Sequence, residues 1–273
     1  MIKVPYIDPV AIDILGLKIH WYSMSYIFAA ILGFIYVKFF IMKNDLDLIR
    51  LKNTKFFDDS IFYVMLGVIL GARFGFVFFY EFSYYLNNPL KVFYVWEGGM
   101  SFHGAFLGVI LAILFLSYKY KIAFLKLMDN AVMALPIGLF LGRIANFINN
   151  ENNGEMVKNT NFIFGILREN ESAILHPVSL YQSFFDGVCL FFISLILYKV
   201  FKMDKKQGFL TGFTICYLGV SRFLLETLKL DKVFFMDTKI YMAQLLSFPM
   251  IVIGIYLMIV AKNLVNKIDN TKK

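Results

Sequence analysis

Residues 131–154 read AVMALPIGLFLGRIANFINNENNG. The run from 131 to 148 is apolar enough for a membrane helix, yet it carries Arg143 and Asn146 and then dissolves into Asn149, Asn150, Glu151, Asn152, Asn153 and Gly154. An arginine inside such a helix is costly unless something pairs with it, so it marks a site or a fixed structural pair. If the helix continues through Arg143, Asn146 at i+3 and Phe147 at i+4 share its face, and Asn150 follows one turn later. Glu151 comes just beyond, and Gly154 is free to turn the chain. One cation, amides that donate and accept, and one carboxylate suit an anionic small-molecule group at a membrane surface.

The same apolar character extends along the chain. Hydrophobic residues make up 59% and charged residues 17%, whereas a soluble domain of this size usually carries about a quarter charged. Stretches at 21–41, 61–80, 100–118, 131–148, 178–200, 209–228 and 241–261 approach the roughly 20 apolar residues needed to cross a bilayer as helix. The expected fold is all-α, a polytopic membrane helix bundle of about seven transmembrane helices. Residues 1–273 then form one integral membrane domain, with a short interfacial arm at 81–99, too polar and Pro-interrupted to cross, and a small external cap at 149–177. No internal repeat is visible, which weakens the case for a transporter built from duplicated halves.

The formal net charge of +8 could point to nucleic acid, but its distribution points to membrane topology. Lys43, Arg50, Lys52 and Lys55 follow the first span. Lys119, Lys121 and Lys126 follow the third, Lys202, Lys205 and Lys206 the fifth, and Lys262, Lys267, Lys272 and Lys273 the seventh. The opposite side carries the more dilute Lys3, Lys18, Lys91, Lys158, Arg168, Lys229, Lys232 and Lys239. Basic loops favour the cytoplasmic side, so the N-terminus is expected outside and the C-terminus in the cytoplasm. Trp21 and Tyr22 then read as interface anchors. Cys189 and Cys216 fall mid-span and read as small apolar packing residues. No Cys-rich or paired-histidine motif is present, so no metal and no cofactor are expected. The N-terminal residues lack a cleavable secretory pattern, and residues 8–20 read as an amphipathic lead-in.

With this topology Arg73, His103, Arg143, Asn146, Glu151, His176, Arg222 and Glu226, drawn from different spans and connections, come to the outer side. Arg222 and Glu226, at i and i+4, could be a mutual ion pair. The GxxxG pairs Gly104/Gly108 and Gly138/Gly142 read as helix-packing surfaces, since no strand precedes them and no Lys-Ser/Thr follows.

Taken together, Trp96-Glu97-Gly98-Gly99-Met100-Ser101-Phe102-His103-Gly104, the GRxxNFxNxExxG run from Gly142 to Gly154, His176-Pro177 with Leu180-Tyr181, and Gly219 with Arg222-Phe223 and Glu226 resemble the bacterial phosphatidylglycerol:prolipoprotein diacylglyceryl transferase family over nearly the full chain. The resemblance implies transfer of the diacylglyceryl group of phosphatidylglycerol to the lipobox cysteine of a prolipoprotein signal peptide, at the bacterial inner membrane. By the same resemblance His103 is the catalytic histidine, with Arg143 and Arg222 as catalytic arginines. Asn146, Glu151 and Gly154 complete the signature, and Tyr22 is an aromatic near the site. Arg73 and His176 join the expected substrate contacts because topology places them on that side. Two positions depart from the family pattern. Leu218 stands where a tyrosine is usual, with Tyr217 one residue earlier, and Lys229 stands where a second arginine is frequent.

A departing phosphate needs fixed cations, which Arg143 and Arg222 supply in bidentate form. A thiol needs deprotonation, for which His103 is the natural base. An alternative assignment has the arginine network activate the thiol while His103 orients substrate. Two other classes compete: a transporter or channel for an anionic solute, and a lipid-binding scaffold.

Overall fold

The computed structural model describes residues 2–14, 17–41, 54–94, 98–157, 162–169, 172–230 and 241–263. Its helices are α1 (Trp21–Ile41), α2 (Phe56–Phe79), the short α3 (Phe82–Asn87), α4 (Phe102–Tyr120), α5 (Phe124–Ile148), α6 (Val178–Lys199), α7 (Phe209–Leu228) and α8 (Met242–Val260). Among the described residues seven are long and apolar enough to cross a membrane, all but α3. The architecture is thus all-α and polytopic, as the apolar runs predict. Trp96 and Glu97 lie outside the described residues, as do Lys43, Arg50, Lys52, Lys158, Lys232, Lys239, Lys267, Lys272 and Lys273 among the cations used to read orientation.

Two helices begin before their apolar stretch. Asp58 and Asp59 occupy the first turn of α2, where carboxylates favour the positive end of the helix dipole. In α5 the early turns hold buried Asp129, whose carboxylate accepts the Gly208 N–H at 2.7 Å, the Thr211 N–H at 2.8 Å and the Thr211 hydroxyl at 2.7 Å. These are the orphan donors at the start of α7, so a polar residue inside the membrane pattern caps a neighbouring helix.

The chain forms two compact units, Met1–Val37 with Asp129–Lys273, and Lys38–Met128. In the second unit α2 and α4 meet along glycines. A Cβ at Gly67 would lie 2.5 Å from the Gly108 carbonyl oxygen, and one at Gly75 would lie 2.6 Å from Gly104 Cα. Only bare backbone fits there, as expected for small residues between membrane helices. The Gly104/Gly108 pair therefore packs as its spacing predicts. The second pair is looser: a Cβ on Gly138 would be in ordinary contact with Ala29 Cβ, at 3.8 Å, and one on Gly142 would meet no other segment within 4 Å among the described residues.

The first unit also holds short strands. β1 (Ile2–Val4) pairs in parallel with β4 (Ile166–Arg168), and β2 (Val10–Ile14) pairs antiparallel with β3 (Leu17–His20). The lead-in to α1 thus contains an antiparallel strand pair. Val4, Ile166 and Leu175 form a small core against which Phe147 packs, fastening the segment after α5 to the N-terminal strand and to the last turn of α5. α7 and α8 approach closely, a Cβ on Gly254 falling 2.6 Å from Cys216 Cβ. Both cysteines are free thiols.

Candidate active site

At the end of α5 the signature residues form one hydrogen-bonded chain. Arg143 Nη1 donates to Asn146 Oδ1 at 3.2 Å, and Asn146 Nδ2 donates to Glu151 Oε2 at 2.6 Å. Asparagine is suited to the middle position because its amide accepts from a guanidinium and donates to a carboxylate at once. Asn146 is buried, so both ends must be satisfied for it to be tolerated.

The chain reverses after α5 without help from Gly154. Asn150 and Asn152 take the left-handed conformation, at φ 60° and 55°, which asparagine tolerates better than most residues. The Glu151 N–H bonds the Asn146 carbonyl at 2.8 Å, and Ser179 Oγ donates to the Glu151 carbonyl at 3.1 Å. Gly154 is glycine for a different reason: its N–H bonds the His176 carbonyl at 3.0 Å, and a Cβ would lie 2.5 Å from that oxygen. Its expected turning role thus gives way to close packing. Gly154→Ala is expected to cost about 1–3 kcal/mol through overpacking, measured as a lowered melting temperature of the purified protein. Gly142→Ala should leave that temperature unchanged or slightly raised, since the added methyl meets nothing and alanine favours helix. A marked drop for Gly142→Ala would contradict the open face beside Arg143.

Backbone pairing carries the signature to α7. The Glu155 N–H bonds the Leu228 carbonyl at 2.8 Å, and the Leu230 N–H bonds the Asn153 carbonyl at 3.0 Å. Glu226 does not pair with Arg222. Its carboxylate meets Lys229 at 2.9 Å, since the tightened last turn of α7 brings i+3 into reach. Among the described residues neither Arg143 nor Arg222 forms an ion pair. Arg222, Asp186, Tyr22 and Tyr26 nevertheless act electrostatically on Arg143. Tyr26 donates its hydroxyl hydrogen to the Tyr22 oxygen at 2.9 Å, with the rings edge to face. His176 Nδ1 is 3.2 Å from the Tyr181 hydroxyl, and the ring packs against Phe162.

The remaining candidates belong to the second unit. Arg73, expected among substrate contacts, is buried and engages backbone: Nε donates to the Val92 carbonyl at 2.7 Å, Nη2 to Lys91 at 2.5 Å, and Nη1 to Gly98 at 2.5 Å and Gly99 at 3.3 Å. Its guanidinium also faces the Tyr85 ring. Such carbonyl pairing satisfies an intramembrane arginine without any ligand. Arg73 therefore anchors the segment between α3 and α4, including Gly98 and Gly99, whose φ of 86° and 75° excludes most other residues. That turn launches α4, which Ser101 caps by accepting the Gly104 N–H at 3.3 Å, and it sets His103 in the first turn with its side chain exposed.

Asp186 and Ser221 went unread in the sequence. A single acid within the apolar run 178–200 was a sufficient signal by the rule that singles out Arg143.

These features define a polytopic all-α membrane protein in which Arg143, Asn146 and Glu151 form one hydrogen-bonded chain at the end of α5. The prolipoprotein diacylglyceryl transferase family matches residues 9–260, and the chain belongs to that family. A relative from Ehrlichia ruminantium (strain Welgevonden) is 37% identical over 254 residues, covering 91% of this chain and 95% of its own. Relatives from Rickettsia typhi (strain ATCC VR-144 / Wilmington) and Rickettsia rickettsii (strain Sheila Smith) are 39% and 40% identical over 259 residues, covering 93% of this chain and 96% of theirs. Each is named phosphatidylglycerol--prolipoprotein diacylglyceryl transferase. The chain is accordingly an enzyme of the transferase class, which displaces the transporter reading.

Proposed function

We propose that this chain transfers the diacylglyceryl group of phosphatidylglycerol to the thiol of a lipobox cysteine in a prolipoprotein signal peptide. The thiolate sulfur attacks the glyceryl carbon bonded to the phosphate oxygen, a C–S bond forms, and the C–O bond breaks with its electron pair leaving on glycerol phosphate. The observation that carries this reading is the pair Arg143 and Arg222, electrostatically coupled and free of ion pairs among the described residues, in a chain of this family.

Arg143 and Arg222 clamp the phosphate and stabilise the charge that develops on its bridging oxygen, a role of preorganised donors. Asn146 and Glu151 hold Arg143 in orientation through the relay described above. His103 takes the thiol proton, Tyr22 lines the lipid head-group region, and Gly154 and His176 lock the signature loop that keeps Glu151 in place. The enzyme resides in the bacterial inner membrane with its N-terminus outside, its C-terminus in the cytoplasm, and its site open to the exterior side. The basic loops after the odd-numbered spans support that orientation.

The test is release of labelled glycerol phosphate from phosphatidylglycerol by the purified protein with a lipobox peptide. Release with the cysteine peptide and none with its serine counterpart is expected, because a thiolate forms near neutrality far more readily than an alkoxide. Lipid binding without release would instead support a scaffold and end the transferase proposal for this chain.

A further inference from the structure

α6 is not α-helical throughout: residues Ser183–Cys189 form a π-helical turn. Such insertions re-aim side chains and frequently accompany functional sites. Asp186 lies in this turn, buried, and accepts a hydrogen bond from the hydroxyl of Ser221, the residue directly before Arg222. An acid in that setting needs a cationic partner, and Asp186 and Arg143 interact electrostatically.

The surrounding contacts fasten two neighbouring helices to this turn of α6. From α5, the Phe140 carbonyl accepts Ser183 Oγ at 3.2 Å, and Phe140 packs so tightly on Gly187 that a Cβ there would lie 2.7 Å from its own Cβ. Phe140 is one helical turn before Arg143. From α7, the Tyr217 hydroxyl donates to the Phe185 carbonyl at 3.0 Å, one turn before Ser221. The π turn is therefore the place where the helices bearing the two arginines are held together, and its carboxylate lies among them.

We propose that Asp186 is the counterion of the Arg143–Arg222 pair, a positioning residue that lets two guanidinium groups share one wall and tempers their hold on the phosphate so that the leaving group departs. The inference rests on the function proposed above. Like charges brought together in a partly buried site repel, and an anion fixed by Ser221 offsets that repulsion before any lipid arrives. The same negative charge opposes binding of an anionic product. Neutralising it while keeping its shape should then tighten product binding, an effect that simple loss of packing cannot produce.

The test measures direct binding of glycerol phosphate by calorimetry, alongside turnover of phosphatidylglycerol with a lipobox peptide, for the full-length protein in detergent. Asp186→Asn keeps an acceptor for Ser221 and removes the charge. Glycerol phosphate is expected to bind about tenfold more tightly, the effect of one nearby charge in a partly screened site, while kcat falls. Asp186→Glu restores the charge and should return affinity to within about twofold of the unmodified protein, even if kcat stays low. Unchanged or weakened binding in Asp186→Asn overturns the proposal, as does equal affinity in the Asn and Glu variants. Should Asp186→Asn fail to fold, Ser221→Ala gives the second arm. Loosening the carboxylate lets it close on Arg143, so kcat should fall about fivefold, the worth of one hydrogen bond, with weaker glycerol phosphate binding. No change in either quantity overturns the proposal. If the unmodified protein binds glycerol phosphate without releasing it from lipid, the transferase reading fails while the counterion test still reads out; if it binds none, both fail.

Discussion

Arg143→Ala is expected to lower diacylglyceryl transfer by about 100- to 1000-fold, the effect of removing one preorganised donor from a developing oxyanion. Arg143 is a strong candidate because the protein places so few demands on it. One guanidinium nitrogen bonds Asn146, and among the described residues no carboxylate closes on it. A side chain used for structure looks different, as Arg73 demonstrates with its bonds to the carbonyls of Lys91, Val92, Gly98 and Gly99. Arg143→Lys should recover only part of the rate, since a lysine supplies the charge without the planar fork. Initial rates of glycerol phosphate release at saturating phosphatidylglycerol check both variants. Near-normal turnover in Arg143→Ala removes the clamp assignment, and full activity in Arg143→Lys removes its bidentate character. The melting temperature of Arg143→Ala should fall modestly, by the equivalent of about 1–3 kcal/mol, because the buried Asn146 keeps its bond to Glu151 but its Oδ1 loses the guanidinium donor.

His103→Gln should reduce transfer by about 100- to 10,000-fold, the range typical of a lost general base. Glutamine approximates the size and polarity of imidazole but cannot carry the proton. The apparent KM for phosphatidylglycerol should remain within a few-fold of the unmodified value, since the base acts on the thiol. Near-normal turnover would transfer thiol activation to the arginine network. A large rise in KM with little loss of kcat would assign His103 to orienting substrate. The local architecture predicts that the substitution folds: His103 is exposed in the first turn of α4, and the start of that helix is held by the Ser101 cap and by the glycine contacts with α2.

Much of this was open to reading because a membrane interior punishes polar residues. The apolar runs located all seven long helices, missing mainly where polar first turns extend them, at Asp58 and Asp59 in α2 and at Asp129 in α5. A carboxylate that caps another helix cannot be told from a loop residue by hydropathy, since its compensation arrives from residues about eighty positions away. The strand pairing of β1 with β4 was likewise hidden, as each strand is only three residues long and too short to establish a period.

The same division runs through the site. That Arg143, Asn146 and Glu151 act together was legible from their spacing along one chain segment, where local geometry limits the possible partners. Whether a given charge faces a ligand or the protein was not. Arg73 and Arg143 are both arginines late in apolar helices, yet tertiary packing surrounds the first with carbonyls and leaves the second largely unengaged. The spacing of Glu226 suggested Arg222 as its partner, whereas the tightened last turn of α7 gives it Lys229. By itself, then, the order of residues determined the membrane helices and the polar signature, because burying backbone and charge in lipid has few solutions. Only the folded chain decided which charges pair, since that depends on the groups other helices bring within a few ångströms.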